Sequence, residues 1–294
     1  TAEPETVGMS ADRLSRISET LSPHVEKGQI SGLMTMVYRQ GEVVHFNTYG
    51  DRDRQTDAPM TKETLFRIYS MTKPITTVAA LMLYEEGHFQ LDDPVAEYLP
   101  AFEDAQVYDT TASGQPRKVP ARRPITIRDL MTHTSGLTYG VFGNTPVDSM
   151  YTAVGVLDND QTLAAAIDTL GTLPLLHQPG ETWHYSVSTD VLGRLVEVVS
   201  GTTLDTFFRT HIFEPLGMDD TMFEVPSSEM DRFATNYAVG KDGSLVVQDR
   251  KASSEFAAPV QFLSGGGGLV STMDDYLRFA RMLLNEGALD GTRL

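Results

Sequence analysis

The order of helical and strand patterns along the chain constrains the fold more than any other feature of the sequence. Apolar residues at spacings of three and four predict an amphipathic helix over 10–26, N-capped by Ser10. Two short β-rich runs, 33–39 and 43–49, then predict a hairpin, and 64–69 predicts a third short strand. Three strands make a poor sheet by themselves, so either helices cover them alone or further strands complete the sheet.

Most of the remaining chain has helical periodicity. Helices are predicted over 75–83, 127–132, 162–170, 190–199, 204–208 and 273–284. The polar segment 106–123 contains two prolines and is interpreted as a surface excursion. The triplet Lys241-Asp242-Gly243 lies between two β-like runs and predicts the turn of a second hairpin over 237–247.

Composition excludes several classes of function. The chain has 23 basic and 40 acidic residues, which gives a net charge of -17. Because like charges repel, neither nucleic acid nor an anionic membrane is expected as a partner. The chain has no cysteine and no recognisable metal-binding motif, so neither a metal nor another cofactor is expected. No apolar run reaches the roughly 18 residues of a membrane span. The absence of a visible leader favours a cytoplasmic location.

Ser70 and Lys73 form a Ser-x-x-Lys pair at the expected start of a helix. Residues three apart share a helix face, so the lysine amine can reach the hydroxyl and, if desolvated, activate it as a nucleophile. Pro74 fits only the first helical turn, which places the helix start near Ser70, where the dipole and backbone N–H groups favour an oxyanion. The competing interpretation is that Ser70 is a plain N-cap, because so short a pattern also occurs by chance.

Two further segments carry residues capable of proton transfer. Tyr185 follows a Pro179-Gly180 turn and precedes a helix, so its hydroxyl could act as a proton shuttle beside a lysine or simply pack with a satisfied hydroxyl. His133 lies at the end of a predicted helix and is interpreted as a structural C-terminal cap. The glycine-rich segment 264–268 lacks the lysine of a phosphate loop and predicts close backbone packing.

Together, four segments resemble the serine β-lactamase and penicillin-binding-protein superfamily, most closely its class C-like branch that includes the family VIII carboxylesterases. They are LFRIYSMTK at 65–73, LMTHTSGL at 130–137, QPGETWHYSVSTDVLGRLVE at 178–197 and GGGGLVSTMDDYLRFARMLL at 265–284. Four motifs in family order are far more specific than any single one.

The resemblance implies an α+β fold, with an antiparallel sheet flanked by helices plus a helical domain. Residues 1–68 would supply the N-terminal helix and first strands of the α/β domain, and 69–294 a mostly helical domain with returning segments. It further implies that Ser70 is acylated, that its N–H forms half of an oxyanion hole, and that Lys73 and Tyr185 act as a coupled base and acid. Which of these two takes the first proton stays open, because coupled groups titrate as a pair.

The chain departs from the family pattern at two places. Val187 occupies the position where β-lactamases of this type carry an amide that binds the β-lactam side chain. A valine there leaves a polar group of the substrate without a partner, which costs about 1–3 kcal/mol. Val187 therefore favours esters, and with Trp183 it is a candidate for the substrate pocket. The third family motif, a strand near the C-terminus, is not found before Leu294, so the C-terminal strands are expected to be absent from this chain.

The residues predict a serine carboxylesterase that forms an acyl-enzyme on short-chain esters, with weak or no β-lactam hydrolysis. A β-lactamase, a D-Ala-D-Ala carboxypeptidase, an acyltransferase and a non-turnover penicillin-binding receptor share the same residues and stay open. Acyl chain length, physiological substrate and oligomeric state are not readable from the sequence.

The 294-residue chain by itself is expected to hydrolyse esters weakly at best, because the absent motif would supply the second oxyanion donor. One such donor is worth about 10²–10³ in rate. A complementing C-terminal segment, added as a separate polypeptide, should raise the rate. Full activity from a polypeptide verified by mass spectrometry to have 294 residues would contradict this expectation.

Overall fold

The computed structural model describes residues 1–257 and 259–294. Its α-helices are α1 (Ala11–Glu26), α2 (Thr72–Glu85), α3 (Ile127–Met131), α4 (Pro146–Ala153), α5 (Leu163–Gly171), α6 (Ser188–Ser200), α7 (Leu204–Phe208), α8 (Glu214–Leu216) and α9 (Met273–Leu284). Its strands are β1 (Gly32–Arg39), β2 (Glu42–Asp53), β3 (Ala58–Pro59), β4 (Phe66–Arg67), β5 (Gln106–Thr110), β6 (Pro116–Pro120), β7 (Asn236–Val239), β8 (Leu245–Asp249), β9 (Val270–Ser271), β10 (Ala288–Leu289) and β11 (Thr292–Arg293).

The chain divides into two compact units, which share the α+β character that the sequence predicts. The first unit contains Thr1–Arg67, Glu224–Ala258 and Ser271–Leu277, and the second contains Ile68–Phe223, Pro259–Val270 and Arg278–Leu294. Among the described residues, no helix combines the length and the apolar character needed to cross a membrane.

In the first unit, β1, β2 and β3 form an antiparallel sheet. The predicted hairpin is confirmed, and its turn at Gln40-Gly41 has positive φ at both residues (48° and 92°), as a tight right-twisted hairpin requires. The predicted first helix is also confirmed as α1, with the Ser10 hydroxyl accepting the Arg13 N–H. Buried Leu14 of α1 packs in one cluster with Val44 of β2.

The same unit contains the second predicted hairpin, formed by β7 and β8. Lys241-Asp242-Gly243 lies in the loop that joins them, and Gly243 adopts φ 81° there. The predicted third strand over 64–69 is much shorter than expected, because only Phe66 and Arg67 form β4 before the chain turns.

The second unit is built around α2 and α6, which pack against each other. Four apolar residues of α6 are completely buried: Val191, Leu192, Leu195 and Val196. Gly87 follows the end of α2 in a left-handed conformation (φ 82°), and its N–H donates to the Tyr84 carbonyl.

The elements of the second unit that differ from the sequence-based expectation include a hairpin and a helix. The polar segment 106–123 is a β-hairpin of β5 and β6, in which the two prolines occupy the first and last positions of β6, where a strand tolerates them. Helix α4 was not predicted, although Thr145 and Asp148 form a capping box and Pro146 occupies its first turn.

Arg67, the last residue of the first unit's opening segment, is a buried cation. Its side chain is 3% exposed and pairs with Asp249, while Nη1 donates to the Ala234 carbonyl at 2.6 Å. The guanidinium also lies 4.0 Å from the centroid of the Phe233 ring. These contacts replace the water that the buried charge loses.

We expect Arg67→Ala to lower the free energy of unfolding by about 3 kcal/mol, because it leaves a carbonyl and a carboxylate without their charged donor. The matched control is Arg117→Ala, which breaks an ion pair with Asp109 whose partners are 52% and 40% exposed. That pair should contribute less than about 1 kcal/mol. Urea unfolding of both variants measures the difference, and equal losses would contradict the prediction.

Candidate active site

Ser70 lies in a strained turn directly before α2. Residues Tyr69–Met71 form a single 3-10 turn, and Tyr69 has φ +42°, which costs a non-glycine residue of order 1–3 kcal/mol. Ser70 itself is exposed, at the N-terminal end of the 14-residue helix α2. The prediction that a helix begins near Ser70 is confirmed. The backbone N–H of Ser70, which is expected to bind an oxyanion, lies at the positive end of the dipole of α2.

Tyr185 is the side chain that contacts the Ser70 hydroxyl. Its Oη lies 2.6 Å from Ser70 Oγ, although the two residues are 115 positions apart in the chain. Tyr185 immediately precedes the turn into α6, so the packing of α6 against α2 brings the two hydroxyls together. Either oxygen can be the donor of this hydrogen bond.

Lys73 lies beside Ser70 and Tyr185, but its hydrogen bonds go to other residues. Its Nζ donates to the Gly266 carbonyl at 2.6 Å and to Tyr139 Oη at 3.3 Å. It also lies 5.0 Å from the centroid of the Tyr185 ring. Among the described residues, Ser70 Oγ is therefore hydrogen-bonded to Tyr185 and not to Lys73.

Tyr139 is a site residue that the sequence analysis missed. Its ring stacks on Tyr185 with a centroid distance of 5.4 Å and an angle of 19°. Burial, reinforced by the Asp190 carboxyl, raises the pKa of Tyr139 above that of an ordinary phenol. The sequence signal that could have identified Tyr139 is its position two residues after the LMTHTSGL segment, close to the turn at Gly136.

His133 has both the predicted structural role and a place beside the site. It follows the end of α3 in a left-handed conformation (φ 56°), the position where a chain leaves a helix. Its ring centroid lies 5.0 Å from that of Tyr185, and Nδ1 is 3.4 Å from Ser186 Oγ. Burial and the Lys73 ammonium lower the pKa of His133 from 6.5 to about 4, so its imidazole is neutral near pH 7.

The two candidate pocket residues are placed very differently. Trp183 is 66% exposed, and its ring lies 6.3 Å from that of His133. Val187 is completely buried at the start of α6, with its N–H on the Thr138 carbonyl. Val187 therefore presents no surface in this structure, whereas Trp183 does.

The glycine segment (Ser264–Gly268) packs closely against α2 and α6, as the sequence predicts. A Cβ on Gly265 would lie 2.7 Å from the Thr189 carbonyl oxygen, and a Cβ on Gly266 would lie 2.5 Å from Asp190 Oδ2. A side chain at position 265 would displace the backbone of α6, and a side chain at position 266 would displace the Asp190 carboxyl. This close approach is what presents the Gly266 carbonyl to Lys73.

Among the residues that the structure describes, no group of three or more His, Asp or Glu side chains is arranged to hold a metal ion. Ser70, Tyr185 and Lys73 together offer a hydroxyl, a phenol in contact with it and an ammonium held by the Gly266 carbonyl. These are the groups that acyl transfer through a serine requires.

His133 should make the protein less stable in acid. The unfolded chain takes up the imidazole proton near pH 6.5, whereas the folded protein resists it until about pH 4. The stability present above about pH 6.5 is therefore lost as the pH falls through that window. His133→Asn, which tolerates the positive φ, should show a smaller fall in thermal midpoint between about pH 7 and pH 4.5. Identical falls in the two proteins would contradict this assignment.

Comparisons with known proteins agree with this geometry. Residues 17–294 match the Beta-lactamase family. Protein Rv1367c of Mycobacterium tuberculosis is 40% identical over 269 residues, which cover 92% of this chain and 66% of that protein. Esterase EstB of Burkholderia gladioli is 32% identical over 296 residues, which cover 94% of this chain and 71% of the esterase.

Solved structures give the same result. EstCE1, described as a hydrolase with promiscuous acyltransferase activity, superposes with a TM-score of 0.78 at 29% identity, covering 96% of this chain and 75% of that one. The chain spans about two thirds of the length of the Mycobacterium tuberculosis relative. The chain thus belongs to the Beta-lactamase family and has the α+β fold of the serine β-lactamases, as its four motifs predict.

Proposed function

We propose that the protein is a serine hydrolase that cleaves small carboxylic esters through an acyl-enzyme on Ser70. The observation that carries the proposal is the 2.6 Å contact between Ser70 Oγ and Tyr185 Oη, next to the fixed ammonium of Lys73. A scaffold or a pure binding protein has no need of these three groups together. The similarity to an esterase and to a hydrolase supports the same reaction class.

In the proposed reaction, Tyr185 is the group that moves the proton. The proposed base is the phenolate of Tyr185, with the Lys73 ammonium 5.0 Å from its ring, and it accepts the Ser70 proton as Oγ attacks the ester carbonyl carbon. The Ser70 N–H at the start of α2 would stabilise the oxyanion that forms. Tyr185 then gives the proton to the leaving alkoxide oxygen as the C–O bond breaks, and the alcohol departs.

Deacylation repeats these steps with water. A water molecule gives a proton to the Tyr185 phenolate and attacks the acyl carbon. The bond to Ser70 Oγ then breaks, Tyr185 returns the proton to Oγ, and the acid is released.

The neighbouring groups are less suited to be the base. Tyr139 keeps its proton, because burial raises its pKa, and it accepts a hydrogen bond from Lys73. His133 is neutral near pH 7 but contacts the ring of Tyr185 and Ser186 Oγ, not Ser70. We therefore assign positioning to both, and proton transfer to Tyr185 with Lys73.

Esters are proposed over β-lactams mainly from the surface around the Ser70–Tyr185 pair. Position 187 carries a valine instead of the amide of the β-lactamases, and this valine is buried, so it offers no partner for an acylamino group and no surface to a substrate. Exposed apolar side chains surround the cluster instead: Met71 is 46% exposed and Phe142 75%, and the Phe142 ring lies 6.2 Å from that of Tyr185. Such a surface suits an uncharged acyl chain.

Acyl transfer to an alcohol is the second candidate. It uses the same acyl-enzyme, with an alcohol in place of water at the second step. The similarity to EstCE1, whose description includes promiscuous acyltransferase activity, favours testing it. Ester product that appears only when an acceptor alcohol is added would identify this activity.

The test compares p-nitrophenyl butyrate with nitrocefin, using Ser70→Ala and a matched control. Ser149→Ala removes the hydroxyl of an exposed serine on α4, which donates to the Thr145 carbonyl. We expect butyrate turnover to fall by at least about 10³ in Ser70→Ala and to be unchanged in Ser149→Ala. Nitrocefin should be hydrolysed much more slowly than butyrate.

The outcomes separate the alternatives. Butyrate hydrolysis that survives Ser70→Ala would refute the proposal. Faster turnover of nitrocefin than of butyrate would identify a β-lactamase instead. Stoichiometric labelling of Ser70 by a penicillin without further turnover, and no ester hydrolysis, would identify a penicillin-binding receptor.

A further inference from the structure

Asp190 is a buried carboxyl that the proposed reaction does not use. It lies in the first turn of α6 and is 1% exposed. Its Oδ1 accepts the Ser264 hydroxyl and, at 3.0 Å, the Gly266 N–H. Its Oδ2 is buried without a hydrogen-bond partner among the described residues. Burying a carboxyl this incompletely satisfied is costly, which calls for a compensating role.

The glycine segment is held from two helices at once. On one side, Asp190 of α6 binds the Gly266 N–H; on the other, Thr76 of α2 donates to the Gly265 carbonyl at 2.7 Å. The Gly265 carbonyl and the Gly266 N–H belong to one peptide group, so this peptide is clamped at both polar ends. Thr76 is fully buried, so neither contact competes with water.

The clamped peptide leads directly to Lys73. The next carbonyl along the chain, that of Gly266, accepts the Lys73 ammonium at 2.6 Å, the shortest contact of that amine. A carbonyl held in place can fix a flexible lysine, whereas a mobile glycine loop could not. The position of Lys73 beside Tyr185 thus depends on Asp190 through one residue, Gly266, whose N–H binds Asp190 and whose carbonyl binds Lys73.

We propose that Asp190 is a positioning residue: with Thr76 it clamps the Gly265–Gly266 peptide so that the Gly266 carbonyl holds the Lys73 ammonium beside the Ser70–Tyr185 pair. Asp190 acts through its acceptor oxygen Oδ1 and touches no substrate. Its carboxyl also lies near enough to Lys73 for the ammonium to oppose the rise in pKa that burial imposes on it. The effect on catalysis rests on the proposed function, but the clamp itself does not.

The first test needs no enzymatic activity. Limited modification with trinitrobenzenesulfonate, followed by peptide mass mapping, reports how fast the Lys73 amine reacts relative to exposed Lys118. Asp190→Ala should raise the relative rate at Lys73 at least about fivefold, because the amine loses its fixed acceptor. Thr76→Val, which breaks the other half of the clamp without touching Asp190, should change the rate in the same direction.

The matched control is on the same helix. Glu197 of α6 has a side chain 9% exposed and accepts the Leu204 N–H at 3.1 Å, which is the same kind of bond. Glu197→Ala should cost stability but leave Lys73 reactivity at the wild-type level. Equal Lys73 reactivity in Asp190→Ala, Glu197→Ala and wild type, with each variant shown folded by circular dichroism, would overturn the proposal.

The second test measures p-nitrophenyl butyrate hydrolysis. Asp190→Ala should lower kcat about 10²-fold with KM changed less than about threefold, because misplacing a reacting group by about 1 Å has that cost. Asp190→Asn keeps an acceptor at Oδ1 and should restore kcat to within about tenfold of wild type. Glu197→Ala should keep kcat within about twofold. An Asp190→Asn variant as impaired as Asp190→Ala would overturn the role assigned to Oδ1.

The two tests separate failure of this inference from failure of the proposed function. A wild-type protein that hydrolyses no ester, also when the complementing C-terminal segment is added, refutes the proposed function, while a rise in Lys73 reactivity in Asp190→Ala still supports the clamp. An active wild type with unchanged Lys73 reactivity and unchanged kcat in Asp190→Ala refutes the clamp alone.

Discussion

The site depends on how closely the glycine segment approaches α2 and α6. Gly265 and Gly266 lie where a single added methyl group would collide with Thr189 or with Asp190. This contact lets one backbone carbonyl reach Lys73 and lies between the two helices that Ser70 and Tyr185 precede. The hydrogen bond between those hydroxyls is the outcome of backbone packing, not of any local sequence preference.

Strain and burial concentrate around the same few residues. Tyr69 and His133 both adopt positive φ, and each immediately adjoins a group of the cluster. Asp190 is buried, one of its oxygens has no hydrogen-bond partner among the described residues, and the other binds the N–H of Gly266, whose carbonyl accepts Lys73. Such costs persist only where the surrounding structure enforces them, and they are typical of sites where geometry matters more than stability.

Much of the fold could be predicted because periodicity and cap residues are local signals. The α1 helix, its Ser10 cap and the β1–β2 hairpin follow from spacing and from turn residues. The β5–β6 hairpin and α4 were not predicted, because the apolar periodicity of both segments is weak. The capping box of α4 was a usable signal that the sequence analysis did not use. Ser70, Lys73 and Tyr185 were found by motif, and the structure brings all three together.

The sequence by itself determined the family, the α+β class and the chemical groups available at the site, because these reside in residue types and short spacings. Only the tertiary structure decided which side chains contact one another. Tyr185 and not Lys73 is hydrogen-bonded to Ser70, Tyr139 lies beside Lys73, and Val187 is buried. The physical reason is distance along the chain. Contacts between residues 66 to 193 positions apart are set by how helices and a glycine segment pack, which no local pattern records.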